Sequence, residues 1–402
     1  MRRTVSFLGC SAALSLACVL SGTCPADRPL VAQDVLVRNT ATTSSRVEAS
    51  PESIDLLADG LSAWHVAGCE VSVREGVLKL EDGNGFARVA WELGDFELEF
   101  EWRPLKEAEF DSGIYFRSPD PEGSPWPARY QINLLQGGEG RLLGVDQGTV
   151  PEGLVRPGVW NRMKLRAVGE EASLWINGEQ AWHVTGLDAT PGHVGIQSEV
   201  PLGGQFEFRD IRLTELDAKP LFNGQDLTGW TAIGDAPAEP TWSVEGGVLR
   251  CEGGGGKWLR WDEPMSDVSL VLEYRLPPRG NSGVYVRVPE DGRHHGDGAG
   301  VEVQILDDAG HADLDLKDYQ YSASVYDFVG ADPRVSRAAG EWNILEIQVR
   351  GDHYRIRHNG ETVVDARAAD VPGLSERREQ GFIGLQNHGE RTEFRRIRQV
   401  ER

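Results

Sequence analysis

Cysteine is scarce where this chain would fold. Of five in 402 residues, Cys10, Cys18 and Cys24 crowd the N-terminus, leaving only Cys69 and Cys251. Two distant thiols make neither a disulfide framework nor a zinc-ligand pattern. Basic residues are outnumbered too: 41 Lys and Arg face 63 Asp and Glu, a formal net charge of −22. That excludes a broad phosphate-binding surface, and with it a nucleic-acid partner, and disfavours adsorption to anionic membranes. Beyond the N-terminus no apolar run is long enough for a membrane span. No sustained helical period appears either. What is present is core material: 40% apolar residues and twelve Trp in a chain long enough for two ordinary domains.

The first residues read as an address. Arg2 and Arg3 precede an apolar run from about Val5 to Leu20, the pattern of a secretory signal, taken here as residues 1–26. The protein is expected to be secreted or periplasmic. Cys18 and Cys24 match a lipid-anchor site imperfectly, because Ser15 and Ser21 stand where an aliphatic residue belongs. Residues 27–50, with "NTATTSSRVEAS", have the composition of a flexible linker.

After the linker the chain repeats itself. "LLADGLSAWHVAG" (56–68) answers "LFNGQDLTGWTAIG" (221–234), and "FDSGIYFRSPDPEG" (110–123) answers "GNSGVYVRVPEDG" (280–292). "GVWNRMKLRAVGEEASLWINGE" (158–179) answers "GEWNILEIQVRGDHYRIRHNGE" (340–361), and "GHVGIQSE" (192–199) answers "GFIGLQNH" (381–388). The copies span 51–216 and 219–402. Runs such as "FELEFEW" and "VSLVLEY" alternate, with Gly, Asn, Asp and Pro turns between them, and "WINGEQ" and "RHNGET" carry the Asn-Gly hairpin signal. The expected fold is all-β: two tandem antiparallel β-sandwiches of jelly-roll type, each with one curved sheet making a concave face.

The blocks "LFNGQDLTGW", "NSGVYVR", "VEVQILDD", "GEWN", "NGE" and "GLQNHG" together resemble the bacterial 3-keto-disaccharide hydrolase family, also described as 3-keto-glucoside lyase and 3-keto-2-hydroxy-glucal hydratase. The resemblance covers 219–402 end to end and 51–216 more loosely. It implies a concanavalin A-like fold, a carbohydrate partner and cleavage of a sugar oxidised at carbon 3.

Strand parity selects a face independently of the family. In "SGVYVRV" the valines share one side, and Tyr285 and Arg287 the other. In "GVEVQIL" the polar side carries Glu302 and Gln304, and in "GFIGLQNH" it carries Gln386 and His388. Asp307 falls at the rim, with His311 and Tyr326 on the connection that follows. Such alternation is also the ordinary pattern of a half-exposed sheet, and Arg287 with Glu302 could be a simple cross-strand ion pair. Anchored on the shared Gln, Glu302 answers Arg129, Gln304 answers Gln131 and Asp307 answers Leu134. Gln386 answers Gln197, His388 answers Glu199, and Tyr285 and Arg287 answer Tyr115 and Arg117. The first copy therefore reads as a binding or structural module that lacks the acid.

The substrate that the resemblance implies sets the chemistry. A ketone at carbon 3 acidifies the hydrogen at carbon 2; its removal gives an enolate, the oxygen on carbon 1 leaves, and water adds. The site needs a base, an enolate partner and an acid. His388 or Asp307 is the expected base, Arg287 or a divalent cation the enolate partner, and Glu302 the acid. Tyr285, Gln304, Tyr326, Gln386 and His311 are the expected substrate contacts. Glu302, Asp307 and His311 form a hard-ligand set suited to Ca, Mg or Mn. A retaining β-glucanase is disfavoured, because the position two after Glu302 is Gln304 rather than a second carboxylate. A non-catalytic tandem carbohydrate-binding protein is the remaining alternative. "HADLDLKD" (311–318) reads as a solvated acidic loop, "GGGG" (253–256) as a turn and "RHHGDG" (293–298) as an exposed loop.

Overall fold

A computed structural model describes residues 52–401 except 122, 128–129, 235–240 and 255–257. The leader, the lipid-anchor cysteines and the whole linker lie outside the described residues. Among the described residues no helix is long and apolar enough to cross a membrane.

The architecture is two antiparallel jelly rolls. In the first copy all strands join one curled sheet of twelve. The reason is a single long strand, Val77–Val89. Its first residues pair with Phe206–Glu215 in one leaf, and its last with His193–Glu199 in the other. In the second copy the counterpart is broken into Val248–Cys251 and Trp258–Trp261. The leaves therefore separate into an eight-stranded sheet and a five-stranded sheet. The five-stranded sheet runs Trp230–Ile233, Trp258–Trp261, Phe382–Leu385, Asn281–Val288, Val301–Leu306.

Local chemistry explains the hairpins. Asn177-Gly178 and Asn359-Gly360 all have positive φ, at 53°, 91°, 50° and 96°. That is the two-residue turn whose twist matches its flanking strands, here Glu171–Ile176 to Glu179–Val184 and His353–His358 to Glu361–Arg367.

Each copy has its own core, but the first does not stop at its own boundary. Val271, Ile344 and Val400 of the second copy belong to the first copy's apolar cluster. Val268–Arg275 is buried on both faces as far as Tyr274, whereas its counterpart Phe96–Pro104 alternates buried and half-buried. The outer face of the eight-stranded sheet is thus covered by the first copy.

Candidate functional site

The outer face of the five-stranded sheet carries the site. Register places Tyr285 directly opposite Glu302, and Gly283 opposite Gln304. Gly283 is required there by contact: a Cβ would stand 2.1 Å from Glu302 Oε1, so the carboxyl lies flat across the neighbouring strand. Trp258 meets the Tyr285 ring edge-on at 5.5 Å.

Two loops close over this floor. The connection 289–300 brings His294 onto the Tyr285 ring, stacked at 4.6 Å, and sets its Nε2 3.2 Å from Glu302 Oε2. His295 follows, its ring centre 4.1 Å from that of His294. The connection after Leu306 returns alongside its own strand through a Val303–Val325 bridge, with Tyr326 N–H donating to Glu302 O at 2.9 Å. A tight turn then puts Asp327 at φ 69°. Its carboxylate accepts from His295 Nδ1 at 3.0 Å, and the Tyr326 ring meets His295 at 5.7 Å. Tyr326 Oη accepts from Gln320 Nε2 at 3.2 Å.

Protonation follows from these contacts. His294 Nδ1 faces the Gly292 carbonyl at 3.3 Å, which can only accept, so Nδ1 carries the hydrogen and Nε2 is a lone pair. Burial, with His295 alongside, pushes His294 down to about 4. Burial, and then the charge of Asp327, pushes Glu302 up to about 8 against the hydrogen bond from Gln386. Both are neutral at pH 7, and their contact is a hydrogen bond from the carboxylic acid to the imidazole rather than an ion pair. Tyr285 is raised by burial and by Glu302, so its phenol stays protonated.

The structure gathers only part of the expected set. Tyr285, Glu302, Gln386 and Tyr326 come together. Gln304 stands on the same face, within 3.4 Å of Asn281. Asp307 does not join them. Its carboxylate accepts from the backbone N–H of Arg279 at 2.7 Å and of Gly310 at 3.1 Å, which makes it a turn clamp. His311 Nδ1 donates to the Asp307 carbonyl, so Glu302, Asp307 and His311 do not share a ligand sphere among the described residues. Arg287 is 2% exposed and faces elsewhere: a bulge and a φ of 54° break the parity, and its guanidinium binds the carbonyls of Ser266 and Gly351. Arg117 repeats this at φ 47° with Gly94 and Gly169, so the pair is part of the fold. His388 is half-exposed, with Nδ1 3.1 Å from Glu390. Nor is the floor an open concave surface, since Tyr285 is 5% and Glu302 4% exposed beneath the loops.

His294, His295, Asp327 and Trp258 were not expected. The signal available was two adjacent histidines, of nine in the chain, on the loop joining the strands of Tyr285 and Glu302.

The first copy shows what changed. Register places Gln131 opposite Tyr115, so Gln131 and not Arg129, which lies outside the described residues, stands in the place of Glu302. A Cβ on Gly113 would meet Gln131 as one on Gly283 meets Glu302. The aromatic pair survives as Phe86 and Tyr115 at 5.6 Å. Gln131 donates to Gln197 at 2.7 Å, and Gln197 to Glu199 at 3.2 Å. In the loop that matches the histidine loop, Trp126 donates its indole N–H to Gly85 and Ser198. The acid has become an amide on an unchanged frame.

Fold and frame together define a class: concanavalin A-like jelly rolls doubled in one chain, with a buried polar centre in the second copy. Within it the chain belongs to the family of 3-keto-alpha-glucoside-1,2-lyase-like domains, whose model matches residues 53–214 and again 217–399. A Bacteroides thetaiotaomicron protein named 3-keto-disaccharide hydrolase is 27% identical over 220 residues, 44% of this chain and 76% of the relative. A solved structure of a proposed glycosyl hydrolase from Parabacteroides distasonis is 26% identical, with a TM-score of 0.40, over 46% of this chain and 99% of that one. The β-glucanase of Bacillus licheniformis is 12% identical, with a TM-score of 0.31, over 42% and 98%.

Proposed function

We propose that the second copy cleaves 3-keto-glycosides by elimination across carbons 1 and 2, followed by addition of water. The observation that carries this reading is the buried Glu302 beneath two imidazoles, present in one copy and replaced by Gln131 in the other. Elimination begins when a base takes the hydrogen from carbon 2 and its electron pair becomes an enolate on the carbon 3 oxygen. The enolate then re-forms the ketone, a double bond develops between carbons 1 and 2, and the bond to the aglycone oxygen breaks with its electrons. A donor supplies the proton to that oxygen.

Glu302, His294 and His295 are the centre at which the carbon 3 oxygen is held. Trp258 and Tyr285, buried beneath the loops, back the His294 ring and hold it in place. Tyr326, whose oxygen already accepts from Gln320, keeps its own hydrogen for the leaving oxygen. His388, half-exposed and just beyond the strand that ends at Leu385, is the base assigned to this reading, able to pass the proton to solvent. The first copy, with amides in place of the acid, holds or supports rather than cleaves. Export rests on the leader's sequence pattern alone.

The test is release of a chromogenic aglycone. It is expected from the 3-keto-glucoside and absent with the unoxidised glucoside. Glu302→Gln, which nature has already placed on the first copy's frame, should lower the rate at least 100-fold while the protein stays folded. A wild-type protein that binds the 3-keto sugar without releasing the aglycone would falsify the reading and favour a carbohydrate-binding pair.

A further inference from the structure

We propose that His294, His295 and Glu302 bind one divalent first-row transition-metal ion. In the functional reading above, on which only its catalytic use rests, this ion is the partner of the enolate oxygen.

The three residues each present one ligand atom, all within 4.8 Å of one another, and they are the one such group of His, Cys, Asp or Glu among the described residues. The orientation of the rings is the stronger argument. A metal-binding imidazole coordinates through one nitrogen and donates its other N–H to an oxygen, which fixes ring and tautomer. Both histidines do this. His294 directs Nδ1–H to the Gly292 carbonyl at 3.3 Å, and His295 directs Nδ1–H to the Asp327 carboxylate at 3.0 Å. Both bonds leave Nε2 as the ligand nitrogen, on adjacent residues of one loop, and that of His294 lies 3.2 Å from the buried Glu302.

Each partner costs something to set: Asp327 sits at a positive φ, and Gly292 packs so closely on Trp258 that a Cβ would stand 2.4 Å from the indole. Metal–ligand bonds of about 2.1 Å space the ligand atoms roughly 3 to 3.5 Å apart; His294 and Glu302 already stand at 3.2 Å, so His295 must close by up to roughly 1.5 Å. It is free to do so, because its side chain is 54% exposed. That same exposure leaves a way in for the ion and open positions for a substrate oxygen.

Two imidazoles and one carboxylate select zinc, manganese, iron or cobalt over calcium and magnesium, which prefer all-oxygen shells. The first copy has Gln131 for the acid and no histidine in its matching loop, so the chain should bind one ion and not two.

The experiment uses the full chain, stripped with a chelator and titrated with Co²⁺ and with Zn²⁺. Visible cobalt bands and calorimetry should report one equivalent. His295→Ala should weaken binding at least 100-fold, and Asp327→Asn, which touches no metal, 10- to 100-fold. His295 and Asp327 are surface-accessible, so melting curves of both variants should stay near wild type. Binding of neither ion at millimolar concentration, undiminished binding in His295→Ala, or tighter binding of Ca²⁺ than of Zn²⁺ would overturn the proposal. The two readings fail separately. Cleavage by chelated protein that binds no metal sinks the ion and spares the function; tight binding without cleavage does the reverse.

Discussion

The smallest residue at the site sets the geometry of its buried acid. Glu302 lies against Gly283 so closely that any Cβ would stand 2.1 Å from its oxygen and 2.8 Å from its Cδ. Gly283 does not have a positive φ, so Gly283→Ala introduces crowding without backbone strain. The expected outcome is a carboxyl displaced by about 1 Å and a rate lowered on the order of 100-fold, because misplacement of that size undoes near-attack geometry. Steady-state rates on the 3-keto-glucoside, beside a melting curve, check it. A variant that cleaves at the wild-type rate would show that Glu302 need not lie where the structure has it. Gly113→Ala gives the same crowding against Gln131 and reads its effect on stability alone.

At the scale of elements, the two arginines with positive φ separate fold from function. Arg287 and Arg117 sit at matching bulges, and each donates to backbone carbonyls of distant turns. Removing either takes a buried guanidinium away from the turn carbonyls it ties together. Arg287→Met and Arg117→Met should each cost about 2–4 kcal/mol, read from the shift of a urea midpoint at constant slope. A loss under about 0.5 kcal/mol would show that these arginines do not hold the fold together.

Parity made Arg287 look catalytic because alternation assumes an unbroken strand, and a bulge resets it. The same limit hid the covered sheet. "VSLVLEY" and "FELEFEW" both alternate on paper, yet one is buried on both sides, since the second cover comes from residues far away in sequence. What depended on local pattern was legible: the repeat, the Asn-Gly hairpins, the face of Tyr285, Glu302 and Gln386. What depended on loops folding back was not. His294, His295 and Asp327 reach Glu302 only through a twelve-residue connection and a bridged return, whose paths no periodicity encodes.

For the whole molecule, the junction between copies is a polar network closed around a neutral histidine. Arg357 donates to His193 Nε2 at 2.8 Å and to the Gly360 carbonyl, while His193 Nδ1–H donates to the Trp91 carbonyl. Arg88 reaches Gly360 and Asp120 from the first copy, and Glu92 accepts from Arg355 and Arg357 of the second. Burial, then the charges of Arg88 and Arg357, hold His193 well below its ordinary value of 6.5. His358, also buried, is lowered to about 3.

An unfolded chain protonates both histidines below pH 6.5, while the folded one does not. Their contribution is therefore fully present above pH 6.5 and is lost as the pH falls, by up to about 1.4 kcal/mol per unit for each group. The melting temperature should drop between pH 7 and pH 5. In His193→Gln the protein should start less stable at pH 7, because Arg357 loses part of its shell, but decline less steeply. Scanning calorimetry across that range measures both slopes. Equal slopes would mean that His193 takes up its proton without opening the junction, and that the copies are held by Val271, Ile344 and Val400 packed into the first core rather than by the charged network around them.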